Sequence, residues 1–357
     1  TTAEKVITKF QTGGPSGDLG SNEILLSKPA ERYVAIVDGP ACVGDPNGLD
    51  KSELVRLAKA RLDISHYDTT KLSKDGYLIK VDDQDVKLPN GLTFANGVVF
   101  RNTFHLRLKD LFGHIDLFVP CGGRPASIDT NNVHTLIDEK TGQSIIPYIV
   151  EGANLFITQS AKIELENAGA ILFKDASTNK GGVTSSSKEV MASLVLDDET
   201  FLSKMCIAQG AAEPPKFYQD YVKEVQRIIQ RNARLEFHAL WKLREETGKP
   251  FSELSDELSF AINELADALA ESDSLWAEDL SFRDAVLNDA LPALLLNEVP
   301  GGVEGVVKRV PEAYMRRVFS TQVAGEYVYT KGPGGNPAKF LEFMSGLRKK
   351  FVKEGLV

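Results

Sequence analysis

Four short, nearly uninterrupted apolar runs punctuate the first half of the chain: YVAIV at 33–37, IDLFV at 115–119, IIPYIV at 145–150 and AILFK at 170–174. Runs of this length and character fit strands buried on both faces of a parallel sheet. Each ends in small or polar residues. The four ends are Asp38-Gly39, Pro120-Cys121-Gly122-Gly123, Glu151-Gly152-Ala153-Asn154, and Asp175 leading to Asn179-Lys180-Gly181-Gly182. A fifth β-favouring run, KVITKFQ at 5–11, precedes them, and a helical period occupies 51–62. The pattern predicts an α/β fold, a Rossmann-like, doubly wound, mostly parallel sheet. Its ligand edge is where the strands end. Residues 65–108 interrupt the alternation and read as an inserted hairpin around polar turns. From about residue 188 strand signals fade. Helical period dominates at 216–246, 253–271, 281–296 and 338–354. Two domains are expected: 1–195, built on the sheet, and 196–357, mainly α-helical.

The turn after the first strand, Thr12-Gly13-Gly14-Pro15-Ser16-Gly17-Asp18-Leu19-Gly20-Ser21, leads into a brief helix. Strand, glycine turn and helix start together aim backbone N–H groups and the helix dipole at a pyrophosphate, and side chains would block the approach. The spacing departs from a strict G-x-G-x-x-G because Pro15 stands where a glycine is required. An ordinary strand–helix turn is the competing reading. Asp38 lies 21 residues after Gly17, near the roughly 20 expected for a carboxylate that accepts from ribose hydroxyls. Such an acid favours NAD and repels the extra phosphate of NADP; a strand-end turn cap is the alternative. The nucleotide contacts expected on these loops are Gly14, Ser16, Gly17, Asp18, Leu19, Asp38, Gly39, Cys121, Gly122 and Gly123. An anionic Asp18 beside a pyrophosphate is unfavourable, so its side chain is expected to turn inward and cap backbone N–H groups. Cys121 has no His–acid pair near it in sequence, which disfavours a nucleophile.

Composition narrows the function classes. The 357 residues, 42% hydrophobic, suffice for one or two cores. A net charge of -9 opposes nucleic acid as a partner. Cys42, Cys121 and Cys206 are scattered and odd in number, which suits a reducing compartment, cytoplasm or mitochondrial matrix, rather than a secreted protein. No metal-ligand spacing occurs among the five histidines, and no membrane partner is expected from the hydropathy. Trp241 and Trp276 read as packing residues. The start, Thr1-Thr2-Ala3-Glu4, carries no methionine and suggests a piece of a longer polypeptide.

Taken together the loops resemble those of the glutamate dehydrogenase family. GGPSGDLGSNEI and YVAIVDGPACVGDPNGLD resemble the large, fungal-type NAD-dependent enzymes in particular. VEGANLFIT at 150–158 and NKGGVTSSSKE at 179–189 resemble the family's E-G-A-N and N-A-G-G-V segments, with Lys180 where the family often has alanine. The resemblance implies that Asn154 and Asn179 contact the nicotinamide end of NAD. It also implies that Asn179, Val183 and Ser186 contact the substrate. Its catalytic lysine and aspartate lie upstream of the dinucleotide domain, so no catalytic residue is expected in this chain. The implied whole is a homo-oligomeric enzyme that converts L-glutamate to 2-oxoglutarate and ammonia. This chain would be a C-terminal portion facing a substrate domain of the same polypeptide. Two alternatives stand beside it. One is a related dehydrogenase of an apolar amino acid, against which the Ser186 hydroxyl argues. The other is a non-catalytic nucleotide-binding or assembly module, which the long helical half favours.

Overall fold

A computed structural model describes residues 5–356. The first four residues, which suggested an excised start, lie outside them. The chain divides into two compact units, one of residues 1–179 with Pro250–Ser252 and one of Lys180–Lys249 with the chain from Glu253 on.

The described residues of the first unit form nine strands: β1 (Ile7–Thr12), β2 (Glu31–Val37), β3 (Ala41–Gly44), β4 (Tyr77–Lys80), β5 (Gln84–Lys87), β6 (Thr93–Asn96), β7 (Leu117–Pro120), β8 (Tyr148–Val150) and β9 (Ile171–Phe173). Seven form one sheet in the order β4-β3-β2-β1-β7-β8-β9. The five from β2 to β9 run parallel. At the other edge β3 and β4 are antiparallel additions. The chain leaves β1 toward β2 on one side and returns to β7 on the other. That reversal, between β1 and β7, is the topological switch point at which such sheets bind ligands.

The apolar runs explain the burial. On one face Phe10 stacks on Phe118 with ring centroids 4.8 Å apart. The other face buries Ile24, Tyr33, Ile36, Leu54 and Leu57. The expected insertion is only partly a hairpin. β5 and β6 pair as one, but β4 joins the main sheet. Phe100 and Phe104 enter the sheet's core, with Phe104 stacked 5.4 Å from Phe10. The segment is a structural part of the unit because its aromatic residues recur at helical spacing toward the core.

The helical unit includes helices Lys180–Val195, Lys216–Thr247, Leu280–Ala290 and Glu312–Lys331. Their common core holds Met191, Tyr221, Val225, Phe282 and Phe319. The unit begins after Asn179, earlier than the division expected after residue 195. Met191, Ala192 and Val195 bury their side chains in the helical core, and this draws the whole helix into that unit. The helix expected at 281–296 is two, Leu280–Ala290 and Ala293–Glu298. Pro292 between them supplies no N–H and cannot continue the first helix. Trp276 is buried, whereas Trp241 is 38% exposed. Among the described residues no helix is long and apolar enough to cross a membrane.

Candidate functional site

The strand ends at the switch point open into a cavity of about 440 Å³. Thr12 and Gly13 from the end of β1, Asp38 and Gly39 from the end of β2, and Gly122 and Gly123 after β7 line it. Of the residues expected from sequence, Asp38, Gly39, Gly122 and Gly123 therefore share one cavity.

Close backbone approach explains the glycines. Gly13 has φ +85°, and a Cβ there would sit 2.7 Å from the backbone of Cys121 and Gly122. A Cβ on Gly14 would collide with the Asp38 carboxylate, and one on Gly20 would strike the Gly13 and Gly14 carbonyls. The turn thus lies against both neighbouring strand ends with no room for side chains. Thr12 Oγ1 donates to the Gly122 carbonyl at 2.6 Å, and Gln11 Nε2 donates to the Gly13 carbonyl at 2.8 Å. Both bonds fix the turn from below.

Asp38 is itself held. Its Oδ1 accepts from the Gly39 N–H at 2.7 Å and its Oδ2 from the Ile64 N–H at 3.2 Å. Each oxygen keeps a further lone pair for a ligand hydroxyl.

The expectation for Asp18 is corrected. Its side chain is 92% exposed and pairs with Arg61 Nη1 at 2.9 Å. Gly17 occupies the N-cap, and no side chain caps the helix Asp18–Leu26. With glycine capping, Asp18 falls in the first turn. There it faces solvent, and the dipole, not a capping bond, favours its charge. Leu19 lies close to Gly152: a Cβ on Gly152 would be 3.7 Å from Leu19 Cδ1 and 3.3 Å from the Pro120 carbonyl. The glycine turn, the 120–123 loop and the 151–154 loop therefore converge. Cys121 does not line the cavity, and burial pushes its thiol up to about 12, so it carries no nucleophilic thiolate at neutral pH.

The 151–155 loop rests on two buried carboxylates. Glu151, fully buried, accepts from the Ile157 N–H at 2.8 Å and the Asp175 N–H at 3.1 Å, and pairs with buried Lys162 at 2.9 Å. Burial raises the Glu151 carboxyl, and Lys162 works against that shift. Asp175 accepts from the Leu155 N–H at 2.8 Å. Between these anchors Asn154 is exposed, and its Oδ1 accepts from Asn179 Nδ2 at 3.0 Å. The two asparagines are brought together, outside the residues that line the cavity. In the helical unit Val183 is 75% exposed, and Ser186 Oγ donates to the Val183 carbonyl at 3.1 Å.

Sequence reasoning missed three cavity residues from the inserted segment, Arg101, Asn102 and His105. Arg101 Nε is buried without a partner in the protein. The His105 ring stands 3.0 Å from the Ser127 carbonyl, and burial lowers its pKa, so the imidazole is neutral at pH 7. The sequence signal available was the spacing of Phe100 and Phe104, which fixes the helix face that brings Arg101 and His105 near.

A family described as glutamate/leucine/phenylalanine/valine dehydrogenase matches residues 2–248. The NAD-specific glutamate dehydrogenase of Saccharomyces cerevisiae is 53% identical over 344 residues, 96% of this chain and 31% of that protein. The NAD-specific glutamate dehydrogenase of Neurospora crassa is 56% identical over 348 residues, covering 98% of this chain and 32% of that one. Glutamate dehydrogenase 2 of Dictyostelium discoideum is 47% identical over 343 residues, 96% and 32% respectively. The similarity runs through the helical half as well as the sheet, and the chain spans about a third of the length of these relatives. The family match takes in the whole of the switch-point cavity and the anchored 151–155 loop, and the chain belongs to the glutamate/leucine/phenylalanine/valine dehydrogenase family.

Proposed function

We propose that this chain is the dinucleotide-binding portion of an NAD-dependent glutamate dehydrogenase that oxidatively deaminates L-glutamate to 2-oxoglutarate and ammonia. The observation that carries the reading is Asp38, tethered by two backbone N–H groups, in a cavity floored by glycines at the switch point. The donor set fits a dinucleotide. Glycines 13, 14 and 20 let the turn pack tightly against the neighbouring strand ends so that Gly13 backbone lines the cavity, and Asp38 offers a carboxylate to ribose hydroxyls. The relatives' names, NAD-specific glutamate dehydrogenase, agree with an acid at that position.

When bound, the nicotinamide supplies the hydride acceptor. Asn154 and Asn179, joined at 3.0 Å, orient its amide end in this reading. The Ser186 hydroxyl and Val183 contact the glutamate side chain, the hydroxyl by turning from the Val183 carbonyl to the carboxylate. Proton transfers at the α-carbon and amine need an acid–base pair. That pair belongs to a substrate domain elsewhere in the polypeptide. The compartment is the cytosol or mitochondrial matrix, consistent with three free thiols. Assembly is homo-oligomeric, supported by exposed Leu194, Leu202 and Ile207 on the helical unit.

Fluorescence titration tests the cofactor assignment. NADH binds with quenching or enhancement that saturates, and NADPH binds at least tenfold more weakly. Equal or tighter NADPH binding removes Asp38 from the ribose site. Substrate profiling of the full-length protein tests the rest: glutamate outperforms leucine, and the reverse order overturns the substrate assignment.

A further inference from the structure

The helical unit holds a second cavity, of about 420 Å³. That is within the range of about 300–1,000 Å³ typical of small-molecule sites. Ile228, Ile229, Leu235, Ile262 and Val318 form an aliphatic patch on its wall, beside polar side chains that include Asn232, Thr321 and Gln322. Lys180, Thr184, Ser187 and Lys188 face it from the helix Lys180–Val195, at the spacing of one helix face.

Four cations border this apolar space, Lys180, Lys188, Arg231 and Arg317. Three have carboxylate partners within the unit. Lys180 pairs with buried Glu236, which Tyr329 also bonds at 2.9 Å. Arg231 meets Asp289 at 2.9 Å, and Arg317 meets Asp267. The one acid among the lining residues, Glu326, is engaged by Lys350 at 3.3 Å and Arg231 at 3.9 Å. Lys188 differs. Its Nζ donates to the Ala290 carbonyl at 2.8 Å, and no salt bridge involves it among the described residues. Burial lowers its ammonium to about 8, which leaves it mostly protonated at neutral pH. A partly buried cation without a counter-ion is costly and is offset by an anion that fills the space.

We propose that this cavity binds a small monocarboxylate with an apolar chain or ring, its carboxylate on Lys188 Nζ and its body among the isoleucines. One uncompensated positive charge beside an aliphatic patch matches one negative charge on an apolar body. A dianion would leave a charge unpaired, and a neutral alcohol would leave Lys188 as it is. Val183 also lines this cavity, but Ser186 does not. The proposal does not rest on the function proposed above.

Isothermal titration of the full-length protein with hexanoate, with hexanol and inorganic phosphate as comparisons, tests it. Hexanoate binds one per chain. Hexanol and phosphate each bind at least tenfold more weakly, since one lacks the charge and the other the apolar body. Lys188→Met keeps the stem and removes the charge, and it weakens hexanoate about ten- to hundredfold, the loss of one charge-assisted hydrogen bond. Ile228→Trp narrows the chamber and also weakens hexanoate while leaving NADH binding unchanged. Absence of hexanoate binding, equal binding of hexanol, equal binding of phosphate, or unchanged affinity in a folded Lys188→Met protein each overturns the proposal. Displacement of hexanoate by 2-oxoglutarate at comparable concentration would assign the cavity to the substrate and also overturn it. The wild-type comparison of hexanoate with hexanol decides the matter even if Lys188→Met does not fold.

Discussion

Asp38 and Asp18 are both acids beside one glycine turn, and their surroundings give them opposite parts. Asp38 is pinned by the Gly39 and Ile64 N–H groups and faces the cavity. Asp18 points to solvent and Arg61. Spacing from Gly17 made Asp38 legible in the sequence. The error over Asp18 arose because the N-cap is Gly17, one residue earlier than a capping aspartate requires. Asp38→Ala removes hydrogen bonds to a charged acceptor, each worth about 1.5–3 kcal/mol. It therefore weakens NADH about tenfold or more while changing NADPH less, because the repulsion of the extra phosphate is lost with the acid. Titration of both cofactors against the variant measures the difference; equal losses would falsify the ribose role. His105 gives a pH signature. Its folded pKa lies below the unfolded value of about 6.5. Its contribution to stability is complete above that value and declines as pH falls through it, since the unfolded chain takes up the proton first. Urea unfolding of the wild type and of His105→Gln between pH 7.5 and 5, roughly one to two units around that pKa, checks this. The variant shows the shallower decline in its own unfolding free energy.

At the scale of elements, the strand ends carry the site only because buried side chains hold the loops that follow them. The apolar runs of β1, β2, β7, β8 and β9 were readable because a parallel strand buried on both faces has little choice of composition. The loop anchors were not readable. Glu151 sits in a sequence of small residues that suggests only a turn, and its partners Ile157, Lys162 and Asp175 are separated from it by 6 to 24 residues. Likewise Arg101 and His105 reach the cavity because helix packing returns the inserted segment to the sheet; the spacing of Phe100 and Phe104 marks the buried helix face but not the sheet on which it packs. The anchor gives a sharp test. Glu151→Gln leaves Lys162 charged and buried without its counter-ion, a loss of about 3–5 kcal/mol. The doubly neutral Glu151→Gln/Lys162→Met recovers part of it. Denaturant midpoints for the three proteins measure both effects. A single variant within about 0.5 kcal/mol of wild type, as for an ordinary surface change, would mean that the pair does not hold the loop.

At the scale of the whole molecule, the proposed nucleotide cleft has no paired acid and base beside it among the described residues. The acids at the glycine turn, Asp18 and Asp38, are already engaged by Arg61 and by backbone N–H groups, which leaves His105 and Cys121. The one is neutral against the Ser127 carbonyl, and the other is a thiol raised to about 12. His105 is held at the Ser127 carbonyl, and among the described residues no lysine lines the cavity. Resemblance to the glutamate dehydrogenase family puts that lysine and aspartate upstream of the dinucleotide domain, and the relatives are about three times the length of this chain. Binding and chemistry are therefore separable. The proposed function predicts that the 357-residue chain binds NADH but does not oxidise glutamate when NAD and glutamate are supplied together, and that the full-length protein does both. Absorbance at the NADH band under saturating substrates, alongside the fluorescence titration, reads the two properties independently. Turnover by the chain alone would place the acid–base pair among the residues described here, and would make Lys180, the lysine adjoining Asn179, the first to replace. Failure of the chain to bind NADH, with the full-length protein binding it, would instead show that the cleft is completed by residues outside this chain.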